Sequence, residues 1–297
     1  MDTISVDLPE VSARYRALVD DALDLHLRDR DGCPDRLMEA MRYSALAPGK
    51  RLRPMLTLMA AEACGGTIEG AIHAACAVEM IHAYSLIHDD LPPMDDDDLR
   101  RGLPTCHKQF DEATAILAGD GLLTLAFEVL STQNQPTDVV ARCCAVLARA
   151  AGIVGMVGGQ ADDMAGGLQG DDLGRIESIH ARKTGALICA SLELGAICAG
   201  AGSEQIDALA TYGRRLGLAF QVTDDLLDVR GDTAAVGKRV GKDAEQGKAT
   251  YPALLGVEAS ICRAEELIEE ACDALRPLGV KGAGLEAVAR YVLERNR

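Results

Sequence analysis

The sequence predicts an all-α fold on three observations: apolar residues recur at three- and four-residue steps along nearly the whole chain, β-branched and aromatic enrichment is missing, and no run with a two-residue period stands out. Aromatic residues are 3% of the 297, with no Trp and three Phe, while Ala and Leu abound, which favours helices over sheets. Apolar residues make up 48% and charged residues 26%, enough apolar surface for a globular core to offset the entropy of ordering.

Residues 11–30 form an amphipathic segment with Val11, Tyr15, Leu18, Val19, Ala22 and Leu25 on one face, closed by Asp31-Gly32-Cys33-Pro34. A second helix is predicted over 34–45, stopping at Ala47-Pro48-Gly49, and a third from Arg53-Pro54 to Ala63 with Gly65-Gly66 as its stop. The fourth, 69–91, must end at Pro92-Pro93, because neither proline can donate the backbone hydrogen bond a helix needs. Further helices are predicted over 109–132, 138–157, 172–200, 204–229, 250–275 and 283–295, with short Gly, Pro or Asn connections. No linker or internal repeat divides the chain, so a single domain over 1–297 is expected. The longest irregular stretch, 230–250, is rich in Gly, Lys and Asp and is a candidate active-site lid.

A formal charge of −16 would repel nucleic acid and anionic membrane surfaces, so neither is an expected partner. Residues 1–27 carry no signal-peptide core, no cysteine pair has zinc-finger spacing, and the ten thiols read as small buried apolar residues of a cytoplasmic protein. No apolar stretch reaches about 20 residues without a charge or His, so no membrane span is expected.

Two aspartate clusters break the apolar pattern. Asp224 and Asp228 are four apart, which puts both carboxylates on one helix face with Asp225 beside them. Such anions repel unless a cation sits between them, and hard oxygen ligands without His or Cys suit magnesium. The first cluster, Asp89-Asp90-Leu91-Pro92-Pro93-Met94-Asp95, ends an apolar helix whose last carbonyls add to the attraction for a cation. Magnesium keeps waters and is completed by substrate phosphates, so nearby cations identify the substrate. They stand at Gly49-Lys50-Arg51-Leu52-Arg53, Arg100-Arg101, Lys183, Lys238 and Lys248, and two cationic sets would suit two diphosphates. His82, two turns before Asp89, could reach a phosphate. His88-Asp89 also fits the dyad of an HD-type phosphohydrolase, but that site needs several His and the chain has six in all.

With these motifs, together with Gly159-Gln160, Lys183-Thr184-Gly185, Phe220-Gln221 and Gly247-Lys248-Ala249-Thr250-Tyr251-Pro252, the sequence resembles the trans-isoprenyl diphosphate synthases, or polyprenyl synthetases, over nearly its whole length. Within that family it looks like the bacterial farnesyl diphosphate synthases. The resemblance implies an isoprenoid-synthase-type bundle around a deep central cavity, a homodimer, and three magnesium ions, with manganese as a possible substitute. Asp89, Asp95 and Asp224, supported by Asp90 and Asp228, would hold the metal. Arg100, Lys183, Thr184, Gln221, Lys238 and Lys248 would serve the allylic diphosphate, and Gly49, Lys50, Arg53, His82 and Arg101 isopentenyl diphosphate.

Tyr84 lies five residues before Asp89, about 7.5 Å deeper along the helix. In the family an aromatic there goes with a fifteen-carbon product, and Ser85 is too small to stop the chain at ten. Farnesyl diphosphate is the expected product and geranylgeranyl diphosphate the alternative. A terpene cyclase would not need Lys50 and Arg53, and a non-catalytic partner subunit should have lost one aspartate motif.

Overall fold

The computed structural model describes residues 7–28, 30–165, 173–230 and 250–294, the last residue of the third stretch by its backbone only. Four helices come first: α1 Leu8–His26, α2 Asp35–Ala45, α3 Leu52–Ala63 and α4 Ile68–Asp89. A short hairpin, β1 Leu99–Arg100 and β2 Leu103–Pro104, leads into α5 Cys106–Gln109 and α6 Glu112–Ser131. Then come α7 Thr137–Ala151, α8 Met156–Met164, α9 Leu173–His180, a π-helical turn Ala181–Gly185, α10 Ala186–Cys198 and α11 Ser203–Arg230. Helices α12 Tyr251–Leu255, α13 Val257–Ala274 and α14 Ala283–Glu294 complete the described chain.

Local chemistry sets several of the starts. Asp7, Thr67, Asp111 and Thr250 each accept a hydrogen bond from a backbone N–H three residues on, satisfying a donor that the first turn leaves without an intrahelical partner. Helices α4 and α10 are apolar on every side, and the fold surrounds both. Helix α4 packs on α3 and α6; α10 packs on α3, α7 and α11; α11 in turn holds α13. Leu187, Ile188, Leu192, Leu194 and Ile197 of α10 are all buried, each worth roughly 1.5–3 kcal/mol relative to exposure. One apolar cluster joins Tyr15 of α1 to Val292 of α14.

The all-α expectation holds, with local departures. The helix expected over 138–157 divides at the turn between α7 and α8, the one over 172–200 contains the π turn, and the one over 250–275 breaks at Gly256, whose φ is 84°. The hairpin was not anticipated, because its strands are two residues each. Its loop residues Arg101 and Gly102 both have positive φ, 55° and 80°, as a type I′ turn requires.

One expectation needs a qualification and another a correction. By length and composition alone, Ile68–Asp89, Glu112–Ser131 and Thr137–Met164 are apolar enough to cross a membrane. In α4 that character reflects burial among other helices, 67% of its most apolar window being covered. The ten cysteines are free thiols, but only Cys76, Cys106 and Cys143 are fully buried and Cys262 is exposed, so they are not uniformly core residues.

Helices α3 and α10 touch backbone to backbone at Gly195, where a Cβ would lie 2.1 Å from the Thr57 carbonyl oxygen. Gly195→Ala should therefore force the helices apart and cost about 2 kcal/mol. Urea unfolding should show a lower midpoint at an unchanged slope.

Candidate active site

Helix α4 delivers Glu79, His82, Tyr84, Ser85, His88 and Asp89 to one end of the bundle. Beyond Asp90 the chain turns back through Pro92 and Pro93, and the Asp95 N–H donates to the Asp89 carbonyl oxygen at 2.8 Å. That return brings the first and last aspartates of the cluster together. Burial raises the Asp89 carboxyl to about 6; Lys183 opposes the rise and Asp95 adds to it. Asp90 is turned to the hairpin, where its Oδ1 accepts from Arg100 Nε at 3.0 Å and from Nη2.

Helix α8 supplies Asp163, which sequence reading missed, and gives a contact to Gln160, noted there only as part of the Gly159-Gln160 motif. Gln160 and Asp163 are three apart, on one helix face. Gln160 Nε2 donates to Asp89 Oδ1 at 2.8 Å, and Lys183 Nζ donates to Asp163 Oδ2 at 2.7 Å. Burial works against the charge on Lys183, but Asp163 above all, then Asp89 and Asp95, raise its pKa. Gly159 makes this possible: a Cβ there would stand 2.4 Å from the Lys183 backbone nitrogen. The π turn carrying Lys183 and Thr184 thus rests directly on α8, and π turns are frequent at functional sites.

The same turn reaches the second cluster. Thr184 Oγ1 donates to Gln221 Oε1 at 3.2 Å, and Gln221 Nε2 donates to Asp225 Oδ1 at 3.1 Å. Asp225 is buried and also accepts the Tyr251 N–H at 3.0 Å, so it ties α11 to α12. Asp224 is exposed and Asp228 half-buried, on the same face of α11.

Between these elements lies a cavity of about 690 Å³, within the usual range for small-molecule sites. Asp89, Gln160, Lys183, Thr184, Arg53 and His82 give it polar walls; Tyr84, Leu86, Ile116, Met156, Val157 and Met164 give it a mainly apolar lining. Tyr84 is 6% exposed and its ring meets His88 edge-on at 5.7 Å. His88 faces α6, with Nε2 3.1 Å from the Ile116 carbonyl oxygen, an orientation that leaves the phosphohydrolase dyad without support.

A narrow cleft between α4, the hairpin and the loop before α3 is lined by Arg51, Glu79, His82, Arg100 and Arg101. Gly49 leaves room for the Arg101 guanidinium, which donates to the Pro48 carbonyl at 3.1 Å. Lys50 lies exposed at the edge. Burial, with Arg53 and Arg101 nearby, holds the His82 imidazole well below its ordinary pKa and hence neutral at pH 7. Lys238, Lys248, the interior of the 230–250 segment proposed as a lid, and 295–297 lie outside the described residues.

Among the described residues no three Asp, Glu, His or Cys side chains form a ready-made metal cage. The donor set nevertheless suits magnesium. Its groups are all carboxylate oxygens, and beside Asp89 the buried Gln160 Oε1 has no hydrogen-bond partner among the described residues. A hard cation that keeps its waters and takes its remaining ligands from phosphate fits such an open arrangement; zinc does not.

Comparison with known proteins identifies the family. The polyprenyl synthetase family profile matches residues 34–276. Farnesyl diphosphate synthase of Escherichia coli is 51% identical over 269 residues, covering 88% of this chain and 90% of that protein. Geranylgeranyl pyrophosphate synthase 11 of Arabidopsis thaliana is 50% identical over 272 residues, covering 89% and 76%. The apo crystal structure of an FPP/GFPP synthase from Zymomonas mobilis superposes with a TM-score of 0.86 at 39% identity, covering 96% of this chain and 99% of that one. The chain belongs to the polyprenyl synthetase family, and its fold is that of the isoprenyl synthases.

Gly159→Ala should push α8 off the π turn and displace Lys183. Calorimetry with inorganic diphosphate and magnesium should show affinity reduced about tenfold, since small displacements of a positioning group are costly, while far-ultraviolet circular dichroism stays helical.

Proposed function

We propose that this chain is a short-chain prenyltransferase that condenses isopentenyl diphosphate with dimethylallyl or geranyl diphosphate to give (2E,6E)-farnesyl diphosphate and free diphosphate. The observation that carries it is the cavity itself, with Asp89, Gln160, Lys183 and Thr184 at one end and a buried tyrosine in its lining. Curated relatives named farnesyl diphosphate synthase are 45–51% identical to it, and relatives named geranylgeranyl synthase at 45–50% keep the twenty-carbon product as the alternative.

Magnesium held by Asp89, Asp95 and Asp224, with Asp90 and Asp228 in support, would supply the charge neutralisation that lets an allylic diphosphate depart. Three ions would serve one site, with manganese as a substitute. Lys183, Arg100, Lys238 and Lys248 bind the departing group. As the allylic C–O bond breaks, the diphosphate carries off the electron pair and an allylic cation remains. The Thr184 hydroxyl and the Gln221 amide, already hydrogen-bonded to each other, steady that cation. Isopentenyl diphosphate, held by Lys50, Arg53, Arg101 and neutral His82 with Gly49 making room, attacks through its double bond. The released diphosphate then takes the proton lost from the new chain. The apolar cavity wall excludes water that would trap the cation as an alcohol.

The growing tail runs down α4 toward Tyr84, which forms the floor, while Ser85 leaves the path open above it. A homodimer accounts for the exposed apolar residues Ile116, Leu117, Ile153, Val154 and Val157, two of which also line the cavity. The free thiols fit a reducing compartment such as the cytoplasm.

Incubation with magnesium, labelled isopentenyl diphosphate and geranyl diphosphate should yield a fifteen-carbon product; no condensation product would overturn the assignment. Tyr84→Ala should shift the main product to twenty carbons or longer, read by chromatography after dephosphorylation. Light scattering should give about twice the 31.4 kDa chain mass, and Leu117→Glu should weaken that assembly.

A further inference from the structure

Arg51 stands between Lys50 and Arg53, yet its guanidinium is taken up by the protein's own carboxylates. Its backbone is left-handed, with φ 50° and ψ 37° just before α3, a region that a residue with a side chain enters at a cost and keeps only when its surroundings hold it there. Its side chain supplies that hold. The guanidinium, 3% exposed, donates from Nε to Asp20 of α1 at 2.7 Å, from Nη1 to Glu79 of α4 at 2.9 Å, and from Nη2 to the Ala47 carbonyl at 3.0 Å. One buried group therefore ties two helices to the loop that carries Gly49 and Lys50.

Glu79 gives the arrangement its electrostatic meaning. It is 3% exposed and lies three residues before His82, on the same side of α4. It is also the sole Asp, Glu, Lys or Arg in residues 70–88. Around the cleft the charges pair as Arg51 with Glu79 and Arg100 with Asp90. Among the described residues neither Arg53 nor Arg101 has a carboxylate at ion-pair distance, and the buried Arg53 Nε has no hydrogen-bond partner. Two guanidiniums thus keep their positive charge for a substrate anion. Without Arg51, Glu79 would be a buried unpaired carboxylate, and Arg53 and Arg101 are the cations near enough to answer it.

We infer that Arg51 and Glu79 are positioning residues for the isopentenyl diphosphate site, the pair locking the left-handed loop that carries Gly49 and Lys50, on which Arg101 rests and after which Arg53 follows, so that both guanidiniums stay turned to diphosphate. This inference rests on the proposed reaction, and neither residue touches substrate. Because breaking one half of a buried pair can unfold a protein whereas replacing both halves with apolar groups is often tolerated, the test uses the double variant Arg51→Met/Glu79→Leu.

Steady-state kinetics with each substrate varied in turn should show the KM for isopentenyl diphosphate raised about tenfold, that for geranyl diphosphate within about twofold of wild type, and an unchanged product length. An isopentenyl diphosphate KM within about twofold of wild type in the folded double variant, or equal rises for both substrates as a loosened fold would give, overturns the inference. If the double variant does not fold, Asp20→Ala decides. It removes the outermost hold on Arg51 from a carboxylate that is 42% exposed, and a selective rise of about threefold supports the inference while no rise overturns it. A wild-type chain that makes no product strikes the proposed reaction itself and takes this inference with it.

Discussion

Everything at the active end depends on one buried helix that must stop. Pro92 and Pro93 deny α4 the backbone donors it would need to continue, so an apolar helix enclosed by its neighbours ends with two acids at the rim of a cavity. The chain can only double back, and the Asp95 N–H on the Asp89 carbonyl fixes that return. Because the rest of α4 is held by the core, Asp89, Ser85, Tyr84, His82 and Glu79 keep fixed heights along one axis. In the proposed reaction that rigidity would let the side chains serve as a ruler.

Charge is the second theme, and it works by pairing rather than by excess. A chain of net charge −16 presents two guanidiniums without carboxylate partners among the described residues, Arg101 in the narrow cleft and Arg53 in the wall of the adjoining cavity, while the other charges there are matched, Arg51 with Glu79 and Arg100 with Asp90. At the cavity, Lys183 is held by Asp163 while also feeling Asp89 and Asp95, so it stays charged despite burial. In low dielectric, such matched arrangements leave less to reorganise when a diphosphate arrives.

Close backbone contacts supply the third. Gly159 against Lys183 and Gly195 against Thr57 let helices approach to distances that no side chain permits. The first sets where Lys183 stands; the second holds together the layer behind it.

By itself the sequence determined the helical class, the end of α4 and the shared faces of Asp224 with Asp228 and of Asp89 with His82, because helical periodicity and proline chemistry are local. It also carried the motifs that mark the family. Tertiary structure decided which partners the acids take. Asp90 and Asp225 look like their neighbours in sequence, yet one pairs with Arg100 and the other anchors Tyr251, since burial and partner are set by segments far along the chain. The π turn under Lys183, the hairpin that separates Arg100 from Arg101, and the roles of Asp163 and Glu79 were likewise out of reach of periodicity. Each depends on a contact between elements distant in sequence, and local pattern carries no record of such contacts.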